Sequence, residues 1–155
     1  MKRILIFSDT HDMIENSMSV IEKTGKTDLI IHAGDCVRDA QDLQSIYPDI
    51  PIEYVRGNND WYSNAPADVR LTVAGKRIFI THGHAYNVKY EYTLNTLKKA
   101  AGDVDLIVFG HTHKPYLEYG NVNVINPGSI TYTNTYALCE IDKDKMYITI
   151  KDVRA

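Results

Sequence analysis

A chain of 155 residues with 44% hydrophobic and 24% charged residues has the length of one domain and the make-up of an ordinary globular protein. At that length it buries roughly 68–70% of its unfolded surface, enough for a substantial core. The net charge of −3 excludes the basic stripe of an extended nucleic-acid or anionic-membrane footprint, and two cysteines, Cys36 and Cys139, are too few for a disulfide framework.

Met1-Lys2-Arg3 leads straight into the apolar run Ile4-Leu5-Ile6-Phe7, which is too short for a signal or membrane segment. A cytoplasmic protein with no membrane partner is therefore expected. Asp9 and His11 follow this first predicted strand. Asp12-Met13-Ile14-Glu15 then has the form of a capping box. Ile14, Met18 and Ile21 share one helical face, and Gly25 is a plausible stop. A second strand, Leu29-Ile30-Ile31, ends at Gly34-Asp35. His32 reads as a core histidine or a support for a neighbouring ligand, and Cys36 as a small packed residue. Ala40, Leu43 and Ile46 mark a second helix, closed before Pro48.

Ile52-Glu53-Tyr54-Val55 leads to Gly57-Asn58, and Ile78-Phe79-Ile80 leads to His82. Val73-Ala74-Gly75-Lys76 between them reads as a hairpin turn. Tyr90, Leu94, Leu97 and Ala101 recur at helical spacing and predict a third helix ended by Gly102. Leu106-Ile107-Val108-Phe109 then delivers Gly110-His111-Thr112-His113. From Tyr116 to Val153 four short strands are expected, broken midway at Asn126-Pro127-Gly128 and joined near the end by the turn Ile141–Lys145. Asn123 and Asn126 read as turn residues. Strands flanked by helices, with a hairpin-rich end, fit two packed sheets with helices outside.

Asp9, His11, Asp35, Asn58, His82, His111 and His113 thus stand at the ends of five apolar runs. Carboxylate, carboxamide and imidazole are the donors that suit first-row divalent metals. Strands that deliver them at their carboxyl ends bring them to the crevice where open α/β sheets bind ligands. Singly, Asp9 could be a helix cap and Asp35 a turn residue. Five ordered elements of this kind outweigh those readings.

On these blocks the chain resembles the calcineurin-like metallophosphoesterase family, above all its small single-domain bacterial and archaeal phosphodiesterases. The likeness runs from Ile4 to Asn126-Pro127-Gly128-Ser129. It implies one domain over 1–155, an α/β fold of four layers, α/β/β/α, in which two packed mixed sheets carry outer helices. It also implies two divalent ions, manganese first, with iron, zinc, nickel or cobalt as alternatives. One ion would be held by Asp9, His11, Asp35 and His113, the other by Asp35, Asn58, His82 and His111, with Asp35 as the bridge. The activity implied is hydrolysis of phosphodiester bonds in small soluble substrates by a water that both ions activate. The alternatives are phosphomonoester or nucleotide hydrolysis and, from another class, a protein-interaction scaffold like a retromer subunit of eukaryotes. A homo-oligomer is compatible with all of these.

The chain departs from the family at one block. The usual Gly-Asn-His followed by an acid reads Gly57-Asn58-Asn59-Asp60 here. Asn59 can donate a hydrogen bond but cannot transfer a proton near neutral pH. His84, in Thr81-His82-Gly83-His84, offers a second imidazole for a substrate-side or supporting role. Asp60 is expected to orient His11 or another imidazole. Trp61, Tyr62, His84 and Tyr86 would give the rim an aromatic and polar character, with Arg38, Arg56 and Lys114 as the nearest cations.

Overall fold

The computed structural model describes residues 1–155. The strands are β1 (Lys2–Phe7), β2 (Leu29–His32), β3 (Ile52–Tyr54), β4 (Asp68–Val73), β5 (Lys76–Thr81), β6 (Leu106–Val108), β7 (Tyr116–Glu118), β8 (Asn123–Asn126), β9 (Thr135–Asp142) and β10 (Lys145–Asp152). They form two five-stranded mixed sheets, ordered β10-β9-β1-β2-β3 and β4-β5-β6-β8-β7. In the first sheet β1, β2 and β3 are parallel, with Ile4 opposite Leu29 and Ile30 opposite Ile52. In the second, β5, β6 and β8 are parallel. Each sheet is edged by an antiparallel hairpin, and both hairpin turns lie where expected.

Alternation along the strands sorts the core into layers. Ile4 and Ile6 point inward, where they meet Ile78, Ile80, Leu106 and Val108 between the sheets. Leu5 and Phe7 point outward and pack under helices α1 (Glu15–Thr24) and α2 (Val37–Ile46) through Val20, Ile21, Ala40 and Leu43. Phe79, Ile107 and Phe109 do the same on the other sheet, under α3 (Asn95–Ala101). Arg70 ties α3 down: its guanidinium lies 4.5 Å over the Phe79 ring and donates to the carbonyls of Ala100 and Ala101. The result is the expected four-layer α/β/β/α sandwich. No helix is long and apolar enough to cross a membrane.

Two helix starts differ from expectation. The capping box does not form: Ile14 occupies the N-cap without a side-chain bond, and the Asp12 amide donates instead to Asp39 Oδ2 at 2.9 Å. The segment before α1 bends back on itself, with His11 and Asp12 at φ 48° and 67°. Capping is given up to that bend. The third helix does not begin near Tyr90, which is 86% exposed. It begins at Asn95, after Asn87 and Leu94 adopt left-handed backbone (φ 57° and 58°), and the Glu91 carboxylate takes the Thr96 amide at 2.8 Å. Leu94 and Leu97 share one core but belong to a loop and a helix respectively. Ile46, read as a core mark of α2, is 45% exposed.

Candidate metal centre

The loops after β1, β2, β3, β5 and β6 meet at one end of the sandwich. Backbone hydrogen bonds stitch them together: Asp9 N to Gly34 O (2.9 Å), His11 N to Asp35 O (3.2 Å) and Gly110 N to His82 O (3.0 Å). Asp9, Asp35 and His82 form a buried floor, His11, His111 and His113 a half-buried ring, and Asn58 an exposed lip. Five of the seven donor residues take left-handed backbone: Asp9 (φ 55°), His11 (48°), Asp35 (48°), His111 (69°) and His113 (61°). Non-glycine residues rarely do so, and a cluster of them marks a site where geometry overrides local preference.

The donor atoms converge in two overlapping groups. Asp9, His11 and His113 place one ligand atom each within 4.8 Å of one another, and so do Asp9, Asp35 and His82. Asp9 Oδ1 faces His113 Nε2 at 3.2 Å, His11 Nε2 at 3.6 Å and His82 Nε2 at 3.9 Å. His82 Nε2 is also 3.4 Å from Asp35 Oδ2 and 3.1 Å from Asn58 Oδ1, which in turn is 3.1 Å from His111 Nδ1. All seven predicted donors are brought together.

Two observations show that this set fits divalent metal. Asp9 Oδ1 is fully buried and has no hydrogen-bond partner, although buried polar atoms are nearly always partnered. His11 Nε2 and His113 Nε2 face each other at 3.2 Å. At most one of two facing ring nitrogens can usefully carry a proton, whereas both can direct a lone pair at a shared cation. The other edges of the donors are held by the protein. Ser8 Oγ and the His111 amide donate to Asp9 Oδ2 at 2.6 and 3.2 Å. His82 Nδ1 lies 2.6 Å from the Ala33 carbonyl, which fixes its proton there and leaves Nε2 free as a ligand.

Electrostatics follow from this crowding. Burial works against ionisation of Asp9, but the close imidazoles of His11, His82 and His113 and the Ser8 hydroxyl win, so its carboxyl lies below the usual carboxylate range. Asp35 behaves likewise: burial is outweighed by His82 and by the Asn59 donors. His111 is pushed down to about 4, by burial first and then by the charges of His82 and Lys89. It is therefore a neutral ring at pH 7, as ligation requires.

The residues around the donors are placed as follows. Asp60 is buried but touches no imidazole, contrary to expectation. Its Oδ2 accepts the amides of Asp35 (3.0 Å) and Gly57 (2.8 Å), and its Oδ1 accepts that of Val37 (2.9 Å). A carboxylate buried beside bare amides bonds to them first, and here it welds the β2 loop to the β3 loop. Asn59 gives both its amide and its Nδ2 to Asp35, at 3.1 and 2.8 Å. His84 is an exposed imidazole beside His82 and His111, with ring centroids 5.5 and 6.1 Å away. Tyr62 lines a 440 Å³ cavity with His11, Asp35, Cys36, Arg38 and Asn59. Trp61 stands free beside it, while Tyr86 is turned away and donates to Asp68. Arg56 is spent on the Ala65 carbonyl at 2.7 Å. His32 is a buried core histidine, as read, with Nε2 on Thr10 Oγ1 at 3.0 Å.

Asn126 is more than a turn residue. It is buried at the end of β8, and its Nδ2 holds Gly110 O at 3.0 Å and Thr112 Oγ1 at 2.9 Å, bracing the His111–His113 turn. Ser129 Oγ and Thr131 Oγ1 donate to the carbonyls of Asp9 and Thr10. Tyr132 lies against both His11 and His113, with centroids 5.0 and 5.7 Å away. These supports were missed because their segment has no ligand-type residue beyond Asn126. The polar block Asn126-Pro127-Gly128-Ser129 was the available signal.

The profile of the calcineurin-like phosphoesterase superfamily domain matches residues 1–144. The chain belongs to that superfamily. It is 31% identical to the probable metallophosphoesterase YsnB of Bacillus subtilis (strain 168), over 96% of this chain and 90% of YsnB. Among solved structures, a predicted phosphoesterase from Streptococcus pneumoniae TIGR4 superposes with a TM-score of 0.81 at 25% identity, covering 99% of this chain and 90% of that one. Wild-type Vps29 of Entamoeba histolytica, crystallised with zinc, superposes with a TM-score of 0.75, covering 97% of this chain and 99% of Vps29. At 19% identity that likeness concerns the fold alone. Membership of the superfamily and the converging donors make this chain a metal-dependent phosphoesterase.

Proposed function

We propose that the chain is a dinuclear phosphodiesterase acting on small phosphodiesters, with manganese as its metal. The observation that supports it most is the orphaned Asp9 Oδ1 at the meeting point of His11, His82 and His113. In this reading Asp9, His11, Asp35 and His113 hold one ion, and Asp35, Asn58, His82 and His111 hold the other. Bound there, the ions would lower the pKa of a water and draw charge from the phosphoryl oxygens.

The chain's own residues orient the rest. Asn59 fixes both oxygens of Asp35, and Asp60 fixes the backbone from which Asp35 projects. Arg38 and Tyr62, in the cavity beside His11, receive one arm of the diester. With the Asn59 amide group engaged on Asp35, His84 is the free imidazole on the substrate side, placed to donate toward the departing oxygen. His84→Ala should then slow alkyl diesters about 100-fold and nitrophenyl diesters far less. A plot of rate against leaving-group pKa that keeps its slope in the variant would remove His84 from that role.

Asp35→Asn tests the centre itself. Turnover of bis(p-nitrophenyl) phosphate with manganese should fall ~100-fold or more, and bound metal should fall by at least one equivalent. Near-normal turnover with two ions retained would defeat the assignment. The alternative from another class is a protein-interaction scaffold. Absence of metal-stimulated hydrolysis in the unmodified chain would select it.

A further inference from the structure

Two of the converging donors, His11 and His113, are held differently from their neighbours. His82 is fixed through Nδ1 at the Ala33 carbonyl, Asp9 through Ser8 and the His111 amide, and Asp35 through Asn59. Every polar contact of the His11 and His113 rings runs instead through Nε2, the atom turned to the centre. The two Nε2 atoms are 3.2 Å apart and lie 3.6 and 3.2 Å from Asp9 Oδ1. Neither Nδ1 meets a protein group. A metal-bound imidazole is ordinarily aimed by a second contact on its far side.

Tyr132 supplies a contact of another kind. Its ring lies 5.0 Å from that of His11 and 5.7 Å from that of His113, tilted by 34° to each, so that one aromatic ring spans both. It packs against neither His82 nor His111; those two lean on each other, with centroids 5.1 Å apart, and His111 also leans on His84. Nothing else accounts for a large ring at this place. Tyr132 is 59% exposed, belongs to none of the three apolar cores, and its hydroxyl makes no hydrogen bond.

Its backbone, by contrast, is pinned. Tyr132 sits in the turn between β8 and β9, where its amide donates to Ser129 Oγ at 2.9 Å. Ser129 Oγ and Thr131 Oγ1 donate in turn to the carbonyls of Asp9 and Thr10, at 2.8 and 2.7 Å. The turn is thus fastened to the loop that carries His11, and the Tyr132 ring keeps its place over that imidazole. A ligated imidazole carries part of the ion's charge, and an aromatic face attracts positive charge within about 6 Å. The contact is therefore stronger in the loaded protein than in the empty one, and that difference appears as metal affinity.

We propose that Tyr132 is a positioning residue for one ion only: its ring holds His11 and His113 at the angle ligation needs, and so tightens the ion on Asp9, His11, Asp35 and His113 without acting on the other. This rests on the two-ion reading of the centre.

The test is metal binding rather than turnover. Chelator-stripped full-length chain is titrated with manganese by calorimetry in two backgrounds, Asn58→Ala and His113→Ala, each of which removes a ligand of one ion. In the Asn58→Ala background Tyr132→Ala should raise the manganese Kd about 10-fold, the scale of a lost ligand support. In the His113→Ala background the same substitution should leave Kd unchanged, and Tyr132→Phe should match tyrosine in both. The chelated Tyr132→Ala chain should melt where the unmodified chain does, since the side chain is exposed and the backbone ties remain. An equal loss in both backgrounds would show general loosening and overturn the proposal. So would no loss in either, or a loss in Tyr132→Phe as large as in Tyr132→Ala. An unmodified chain that takes up one ion refutes the two-ion reading, and the Kd of that ion in Tyr132→Ala then decides the clamp. One that takes up none sinks the metal reading and the proposal with it.

Discussion

Left-handed backbone at a non-glycine residue costs roughly 1–2 kcal/mol, and Asp9, His11, Asp35, His111 and His113 all adopt it. Such a concentration is tolerated because the side chains around it are over-determined by hydrogen bonds. His32 is one of those supports. It is wholly buried, with Nε2 on Thr10 Oγ1 and Nδ1 accepting the Gly34 amide at 3.1 Å. Burial pushes its pKa down from 6.5 to about 4, the nearby carboxylates Asp9 and Asp60 only partly opposing it. Between those values the unfolded chain takes up a proton at this site and the folded chain does not. Stability from this group is thus complete above pH 6.5 and is lost as pH falls toward 4, by ~3 kcal/mol in all. In chelated protein, His32→Gln should remove that part of the acid sensitivity. Urea titrations at pH 7.5 and 4.5 would measure it, and an identical pH dependence in the two proteins would show that His32 is not the group responsible.

At the scale of elements, the strand ends carry the chemistry and glycines let them approach. A Cβ at Gly57 would collide with Asp35 Oδ1 and lie 2.7 Å from Asp35 Cγ, while Gly57 itself needs no left-handed backbone. The same Cβ would lie 2.8 Å from the Asp35 backbone nitrogen, so Gly57→Ala should displace Asp35 and the loop that carries it, lowering turnover about 100-fold, as misplacement by an ångström does. Gly75, at φ 81° in the β4–β5 turn, is the opposite case, with nothing within 4 Å. Gly75→Ala should cost roughly 1 kcal/mol of stability and leave turnover unchanged. Equal kinetic effects of the two substitutions would refute the distinction. The strands were legible in the sequence because buried parallel strands read as plain apolar runs, and the donors stand at their ends. The helix starts were less so. Periodicity placed Tyr90 and Leu94 on one helix, yet it cannot register a left-handed residue between them. The roles of Asp60, Asn126 and Tyr132 were hidden for a different reason: each acts on a segment distant in sequence, through a contact that only the assembled loops create.

On the scale of the whole molecule, the centre joins the two sheets. Asp9, His11, Asp35 and Asn58 come from loops of the first sheet, and His82, His111 and His113 from the second. Away from the centre the sheets adhere mainly through apolar residues such as Ile4, Ile6, Ile80 and Val108, with the Tyr119 hydroxyl bonded to the Ile148 backbone as a polar tie. A cation ligated from both sides exists only in the folded chain, so it stabilises the sandwich by mass action, about 2.7 kcal/mol when free ion is 100-fold above Kd. For a domain of this size that corresponds to a rise in Tm of roughly 5–10 °C. Manganese added to chelated protein should produce it. Asp9→Ala with His113→Ala should abolish most of the increment, because the pair removes ligands contributed by both sheets. The informative quantity is the increment rather than the absolute Tm. Without metal, Asp9 leaves one buried oxygen unpartnered, and removing it relieves a penalty of ~1–3 kcal/mol while also deleting contacts to three imidazoles. A full increment in the double variant would show that the ion binds elsewhere. No increment in the unmodified chain with manganese, zinc or nickel would show that the two sheets hold together without metal and that the converging donors serve another end.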